Sequence, residues 1–150
     1  MDDLKALYQS VILEHSRQPQ NYGHPEATTH EARGYNPLCG DQVTIYLTLE
    51  DERLIDVAFE GKGCALCLAS ASIMTNILKA ADRAKVESLV EDLKTICTDE
   101  DGQVVNDPEE LAALLPLGGV RNYPVRVKCV TLPWQTALAA LAGETEATTE

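Results

Sequence analysis

DQVTIYLTLEDERLIDVAFEGKGC, Asp41–Cys64, is the stretch on which the fold turns. Val43, Ile45, Leu47 and Leu49 alternate with polar neighbours, and Ile55, Val57 and Phe59 do the same. Period-two alternation puts one face of a strand against a core and the other toward water. Between the two runs lies Glu50-Asp51-Glu52-Arg53, polar and short, so the simplest reading is an antiparallel hairpin. Gly61-Lys62-Gly63-Cys64 follows as a turn loosened by glycine, and then CALCLASASIMTNILKAA reads as a helix of small residues, with Leu68, Ala71, Ile73, Ile77 and Leu78 free to be buried.

Outward from that hairpin, Leu4, Leu7, Tyr8, Val11 and Ile12 fall at helical spacing, with Arg17 and Pro19 marking the helix end. Residues 18–27 read as a loop, and Thr28–Ala32 as a short edge strand. Downstream, Val86–Leu93 is predicted as a helix, Thr98–Pro108 as an acidic loop with turn signals, and Glu109–Leu115 as a short helix stopped by Gly118-Gly119. A final helix is predicted over Pro133–Leu141, and the residues after Gly143 read as a flexible tail, 144–150. The expected fold is α+β: a small antiparallel three-stranded sheet packed against helices, in one domain over residues 1–143.

The net charge of −12 repels phosphate backbones, so nucleic acid is not an expected partner. The opening MDDLKALYQSVILEHSR is amphipathic, not a continuous apolar run, and no stretch nears the ~20 apolar residues a membrane span needs. A cytoplasmic location is expected, with no membrane partner. Five cysteines, an odd count without an export signal, argue for metal binding or thiol chemistry over a disulfide framework.

Three of those thiols fall at expected element boundaries. Cys39 sits in NPLCGD ahead of a strand, Cys64 ahead of a helix, and Cys129 in VRVKC ahead of the predicted last helix. Proline, glycine and aspartate around Cys39 leave it little to pack against. Asp41, one glycine away, stays near the same point. Thiolates and a carboxylate are acceptable zinc ligands, so Cys39, Asp41, Cys64 and Cys129 form a candidate tetrahedral set. A metal there would also hold the thiols as reactive thiolates. Cys97 reads as a small core residue. Cys64-Ala65-Leu66-Cys67 is a C-x-x-C at a helix start, but no second such pair exists and the βαβ setting of a redox motif is missing. His15, His24 and His30 read as exposed or structurally hydrogen-bonded residues. No Ser-His-Asp arrangement with a glycine elbow, no P-loop and no H-E-x-x-H is present.

Taken together these segments resemble the SufU/IscU family of iron–sulfur cluster assembly proteins, whose fold is of the NifU N-terminal type. LYQSVILEHSRQPQNYG is similar to the family's opening helix and loop, NPLCGD to its first ligand loop, GKGCALCLASASIMT to the segment carrying its second ligand, and PVRVKCVTLPW to the third. Two features resemble the SufU branch: an extra helical and acidic stretch over about residues 84–107, and Lys128 where IscU-type proteins carry histidine. The resemblance implies a zinc-dependent sulfurtransferase role. Cys39 would accept persulfide sulfur from a SufS-type cysteine desulfurase, Asp41, Cys64 and Cys129 would complete the zinc site, and a downstream iron–sulfur assembly scaffold would receive the sulfur. Arg126 and Lys128 would steer an acidic partner surface or the anionic persulfide. Two alternatives stay open: a scaffold that assembles a [2Fe–2S] cluster, with iron instead of zinc, on the same ligands, and a structural zinc module without chemistry. Cys67 departs from the family pattern, which typically has serine there, and its role is open.

Overall fold

The computed structural model describes residues 2–98 and 108–149. Helix α1 spans Asp2–Arg17; strands β1 (His30–Asn36), β2 (Asp41–Glu50) and β3 (Arg53–Lys62) follow. Then come α2 (Ala65–Leu78), α3 (Arg83–Thr98), α4 (Pro108–Leu114), a 3₁₀ segment (Leu115–Val120), α5 (Pro124–Leu141) and β4 (Glu146–Thr148). The acidic loop predicted after Thr98, and with it the end of the 84–107 stretch, lies outside the described residues apart from its two ends. Among the described residues, no helix is long and apolar enough to cross a membrane.

The fold class is α+β, as the alternation predicts. The hairpin closes on Asp51 and Glu52, both with positive φ (53° and 69°), the two-residue turn whose twist suits antiparallel strands. Val43, Ile45, Leu47, Val57 and Phe59 are all buried. Ile55 is the exception. The pairing steps from Thr48↔Asp56 to Leu49↔Leu54, so Ile55 is skipped by a bulge and faces solvent, 54% exposed, while Leu54 takes the inward position.

The sheet has four strands, not three, in the order β3-β2-β1-β4. The tail expected to be flexible supplies the fourth, parallel to β1 with Tyr35↔Thr148 in register. Its bonds are made by backbone: Arg33 N–H to Thr145 O (2.9 Å) and Thr149 N–H to Tyr35 O (3.2 Å). A polar sequence such as Glu146–Thr148 carries no alternation that would announce a strand. β1 accordingly is not an edge strand, and it runs to Asn36 because its inward positions are Ala32, Gly34 and Asn36, small or polar residues that hide the period.

α2 is the central helix; Ala69 through Thr75 are buried without a break. Its small side chains let α5 come close. Trp134 Nε1–H donates to Ser70 Oγ at 2.8 Å, and Ser70 Oγ–H donates to Val130 O at 2.5 Å, a fully satisfied crosslink in the core. The last helix starts at Pro124, nine residues before the predicted Pro133. Proline is at home in a first turn, where its fixed φ helps and its missing N–H is not needed. Pro133 is tolerated inside the helix, where it has no N–H to give the Cys129 carbonyl. Cys129 therefore lies within a helix and not ahead of one.

Candidate metal and thiol site

The site forms where the β1–β2 loop, the start of α2 and the second turn of α5 meet at one end of the sheet. Asn36 and Asp41 are paired across β1 and β2, and the four residues between them form the loop. Cys39 N–H returns to Asn36 O (3.3 Å), with Pro37 second in that turn, and Gly40 then takes φ +70°, a left-handed conformation that glycine adopts without cost. The result is a tight hairpin that lifts Cys39 to a half-buried position at its tip.

Asp41 is buried (1% exposed), and both carboxylate oxygens are engaged. Oδ1 accepts the Cys64 backbone N–H at 2.9 Å, at the positive end of α2, and Oδ2 accepts Asn36 Nδ2–H at 3.1 Å. Gly63 is required beneath it, because any Cβ at that position would collide with Asp41 Oδ1. Cys64 is the residue before α2, with its sulfur 3.9 Å from Asp41 Oδ2. The Cys129 sulfur is fully buried and lies 3.3 Å from the Cys39 sulfur. Cys39, Asp41 and Cys129 each present one donor atom, all within 4.8 Å of one another. Cys64 adjoins this trio through Asp41.

The donor set fits a metal ion. Zinc–sulfur bonds of ~2.3 Å in a tetrahedron separate two sulfurs by ~3.8 Å, close to the spacings here. Without a metal, burial pushes the Cys129 thiol well above its usual range, and its contacts with Cys39, Asp41 and Cys64 push it the same way. A buried thiol among anionic neighbours is stabilised as thiolate only by a positive charge, which a cation at this point would supply.

The remaining candidates fall elsewhere. Cys67, one turn beyond Cys64, is wholly buried in the core and its thiol is pushed upward, by burial first and then by Asp41, Cys64 and Cys39. Cys97 is buried with its sulfur 3.7 Å from Leu117 O. His15 Nδ1 is 2.7 Å from Ser72 Oγ, and burial lowers its pKa; His24 stacks on Tyr46 at 4.3 Å; His30 Nδ1 is 2.9 Å from Thr29 Oγ1. None of the three belongs to the cluster among the described residues. Arg126 is exposed and Lys128 half-buried, both on the first turns of α5 that carry Cys129. The residue that sequence reasoning passed over is Asn36. It was visible only as the first letter of NPLCGD, and nothing in the sequence says that its amide points at Asp41.

Fold and site together define a class: an α+β domain that gathers three cysteines and an aspartate at one end of its sheet. Residues 7–130 match the NifU-like N-terminal domain family, and the chain belongs to that family. It is 32% identical over 142 residues to the zinc-dependent sulfurtransferase SufU of Bacillus subtilis, covering 95% of this chain and 94% of that one. It is 33% identical over 137 residues to the iron-sulfur cluster assembly scaffold protein IscU of Thermotoga maritima, covering 91% and 94%. Among solved structures, a protein from Fervidobacterium islandicum AW-1 described as an iron-sulfur cluster assembly scaffold for the SUF system superposes with a TM-score of 0.78 at 30% identity, covering 87% of this chain and 93% of that one. The NifU-like N-terminal protein of Brucella abortus shares the fold, with a TM-score of 0.81 at 24% identity over 93% of this chain and 94% of that one. The protein is thus of the SufU/IscU type, related to proteins of iron–sulfur cluster assembly.

Proposed function

We propose that this protein is a zinc-dependent sulfur acceptor and carrier, taking persulfide sulfur from a SufS-type cysteine desulfurase in the cytoplasm and passing it to a downstream iron–sulfur assembly scaffold. The observation that carries the reading is the pairing of one half-buried loop thiol, Cys39, with one fully buried helix thiol, Cys129, beside an anchored carboxylate. The half-buried Cys39 at the hairpin tip can be reached by an incoming persulfide, whereas the buried Cys129 and Asp41 cannot.

Cys39, Asp41, Cys64 and Cys129 would hold the ion, and zinc supplies charge that keeps the thiols ionised. The chain's own residues do the rest. The Cys39 thiolate attacks the outer sulfur of the desulfurase persulfide. A new S–S bond forms on Cys39 as the donor's S–S bond breaks, and the electron pair leaves with the donor cysteine as its thiolate, so no external oxidant or reductant is needed. The hairpin presents the nucleophile, and Asp41, tied to the start of α2, keeps the loop in place. Arg126 and Lys128 sit on the helix that carries Cys129 and favour an anionic persulfide or acidic partner surface against a chain of net charge −12. The likeness to the Bacillus subtilis sulfurtransferase supports this reading, as does lysine in place of the imidazole before the last cysteine.

The second reading is a scaffold for a [2Fe–2S] cluster on the same ligands, favoured by equal likeness to the Thermotoga maritima scaffold. One experiment separates them. The purified protein is incubated with a cysteine desulfurase and cysteine, and Cys39 is examined by mass spectrometry for one added sulfur atom. In parallel it is reconstituted anaerobically with iron and sulfide and offered to an apo-acceptor. Sulfur on Cys39 with zinc in the isolated protein supports the carrier; a transferable cluster with no persulfide overturns it.

A further inference from the structure

We infer that Asn36 is a positioning residue for the thiol–carboxylate site, and that Thr149, carried on the strand-forming tail, sets the direction of its amide. Asn36 is completely buried at the end of β1, where it has β2 on one side and β4 on the other. A side-chain amide has one carbonyl oxygen to accept with and two N–H bonds to donate. All three directions are used. Thr149 Oγ1–H donates to Asn36 Oδ1 at 3.1 Å. Asn36 Nδ2 donates to Asp41 Oδ2 at 3.1 Å and to the Cys129 sulfur at 3.5 Å.

This geometry makes Asn36 a bridge. It ties a carboxylate on β2, which also accepts the Cys64 N–H, to a sulfur on α5, which also contacts Cys39 and Val125 O. With Asp41 Oδ1 already fixed by the Cys64 N–H, the bond to Oδ2 locks the plane of the carboxylate. The bond to the Cys129 sulfur selects a side-chain direction for that thiol. Donor bonds to anionic oxygen and sulfur are charge-assisted, and both are oriented correctly only while the amide carbonyl faces away from the site. Thr149 occupies that carbonyl. Thr149 in turn is held by its own N–H to Tyr35 O (3.2 Å), beside the β1–β4 pairing. The short strand β4 therefore does more than extend the sheet. It delivers a hydroxyl, 113 residues away in sequence, to the back of the site.

The inference rests on the reading of the cluster as a metal site, and its test keeps the two apart. Three variants are prepared: Thr149→Val, Asn36→Ala and the double. Zinc affinity of each is measured by competition with a chromophoric chelator, and the visible spectrum of the cobalt(II)-substituted protein is recorded. Partners of this kind typically contribute about 10- to 100-fold in metal affinity. Asn36→Ala is expected to weaken zinc in that range, Thr149→Val to weaken it several-fold, and the double to be no weaker than Asn36→Ala alone, since Thr149 acts through Asn36. The cobalt bands shift in both single variants. If Asn36→Ala does not fold, Asn36→Leu, which keeps roughly the volume of the amide and loses both donors without adding charge, takes its place. A second arm uses metal-free protein, where alkylation of Cys129 by iodoacetamide is expected to accelerate in Thr149→Val. Absence of zinc binding by the unaltered chain would defeat the metal reading, and the alkylation arm alone would then judge the bridge. Thr149→Val matching the unaltered chain in affinity, spectrum and alkylation rate, or strict additivity in the double, overturns the inference.

Discussion

The five cysteines occupy two regions that share a core and differ in chemistry. Cys67, in the first turn of α2, and Cys97, next to last in α3, are wholly buried and belong to the apolar core. Cys39, Cys64 and Cys129 meet around Asp41 at the end of the sheet, where a hairpin tip, a helix start and a helix turn expose polar backbone and side-chain groups to one another. Burial alone does not separate the two sets, since Cys129 is as inaccessible as Cys67. What separates them is company. A sulfur in an apolar core is a small apolar filler, whereas a sulfur beside another sulfur and a carboxylate has the chemistry to bind a cation.

The largest effect is expected at Cys129, which is buried, and Cys64, which is half-buried. Cys129→Ser and Cys64→Ser should abolish tight zinc binding and with it the metal's share of stability, about 2.7 kcal/mol when zinc is present at ~100 times Kd. Metal analysis and thermal melts with and without chelator check this; full zinc content in Cys129→Ser would erase the distinction between the regions. Cys39→Ser should end persulfide formation outright while keeping some metal, read by mass spectrometry after reaction with a desulfurase. Asp41→Ala should lower zinc affinity by about tenfold or more and slow sulfur transfer, because Cys64 N–H and Asn36 lose their shared anchor.

The core thiols should respond in stability only. Cys67→Ser buries a hydroxyl among apolar groups at a cost of about 1–3 kcal/mol, with sulfur acceptance on Cys39 retained. Loss of acceptance in a folded Cys67→Ser protein would move Cys67 into the reactive set. The smallest effect belongs to Cys97→Ala, about 1 kcal/mol near neutral pH. Burial pushes that thiol from 9.0 up to about 12, with Arg121 acting the other way. The folded state therefore keeps a proton that the unfolded chain releases. Its contribution to stability is complete below pH 9.0 and is lost as the pH rises through 12. Urea melts of the two proteins across that window should show the parent losing stability faster than Cys97→Ala.

The comparison also marks what is legible in a sequence. The hairpin can be read from Val43 to Phe59 because apolar alternation is a local property. Its one error, Ile55 for Leu54, comes from a bulge, which alternation cannot register. Cys39 and Asp41 are readable because their loop is written in proline and glycine. Cys129 was readable as a candidate and misplaced in the fold, since Pro133 signals a helix start although it lies within one. β4 left no trace, because its pairing is made by backbone groups that every residue possesses.

The sequence by itself determined the α+β class, the helix of small residues at the centre and which cysteines and aspartate stand as candidate metal ligands. These follow from local periodicity and from the chemistry of cysteine and aspartate. Only the tertiary structure decided that Cys39 and Cys129 lie 3.3 Å apart, that Asp41 leans on the start of α2, and that Asn36 and Thr149 stand behind them. Those contacts join residues far apart along the chain, through distances and directions that appear only once the strands and helices have packed.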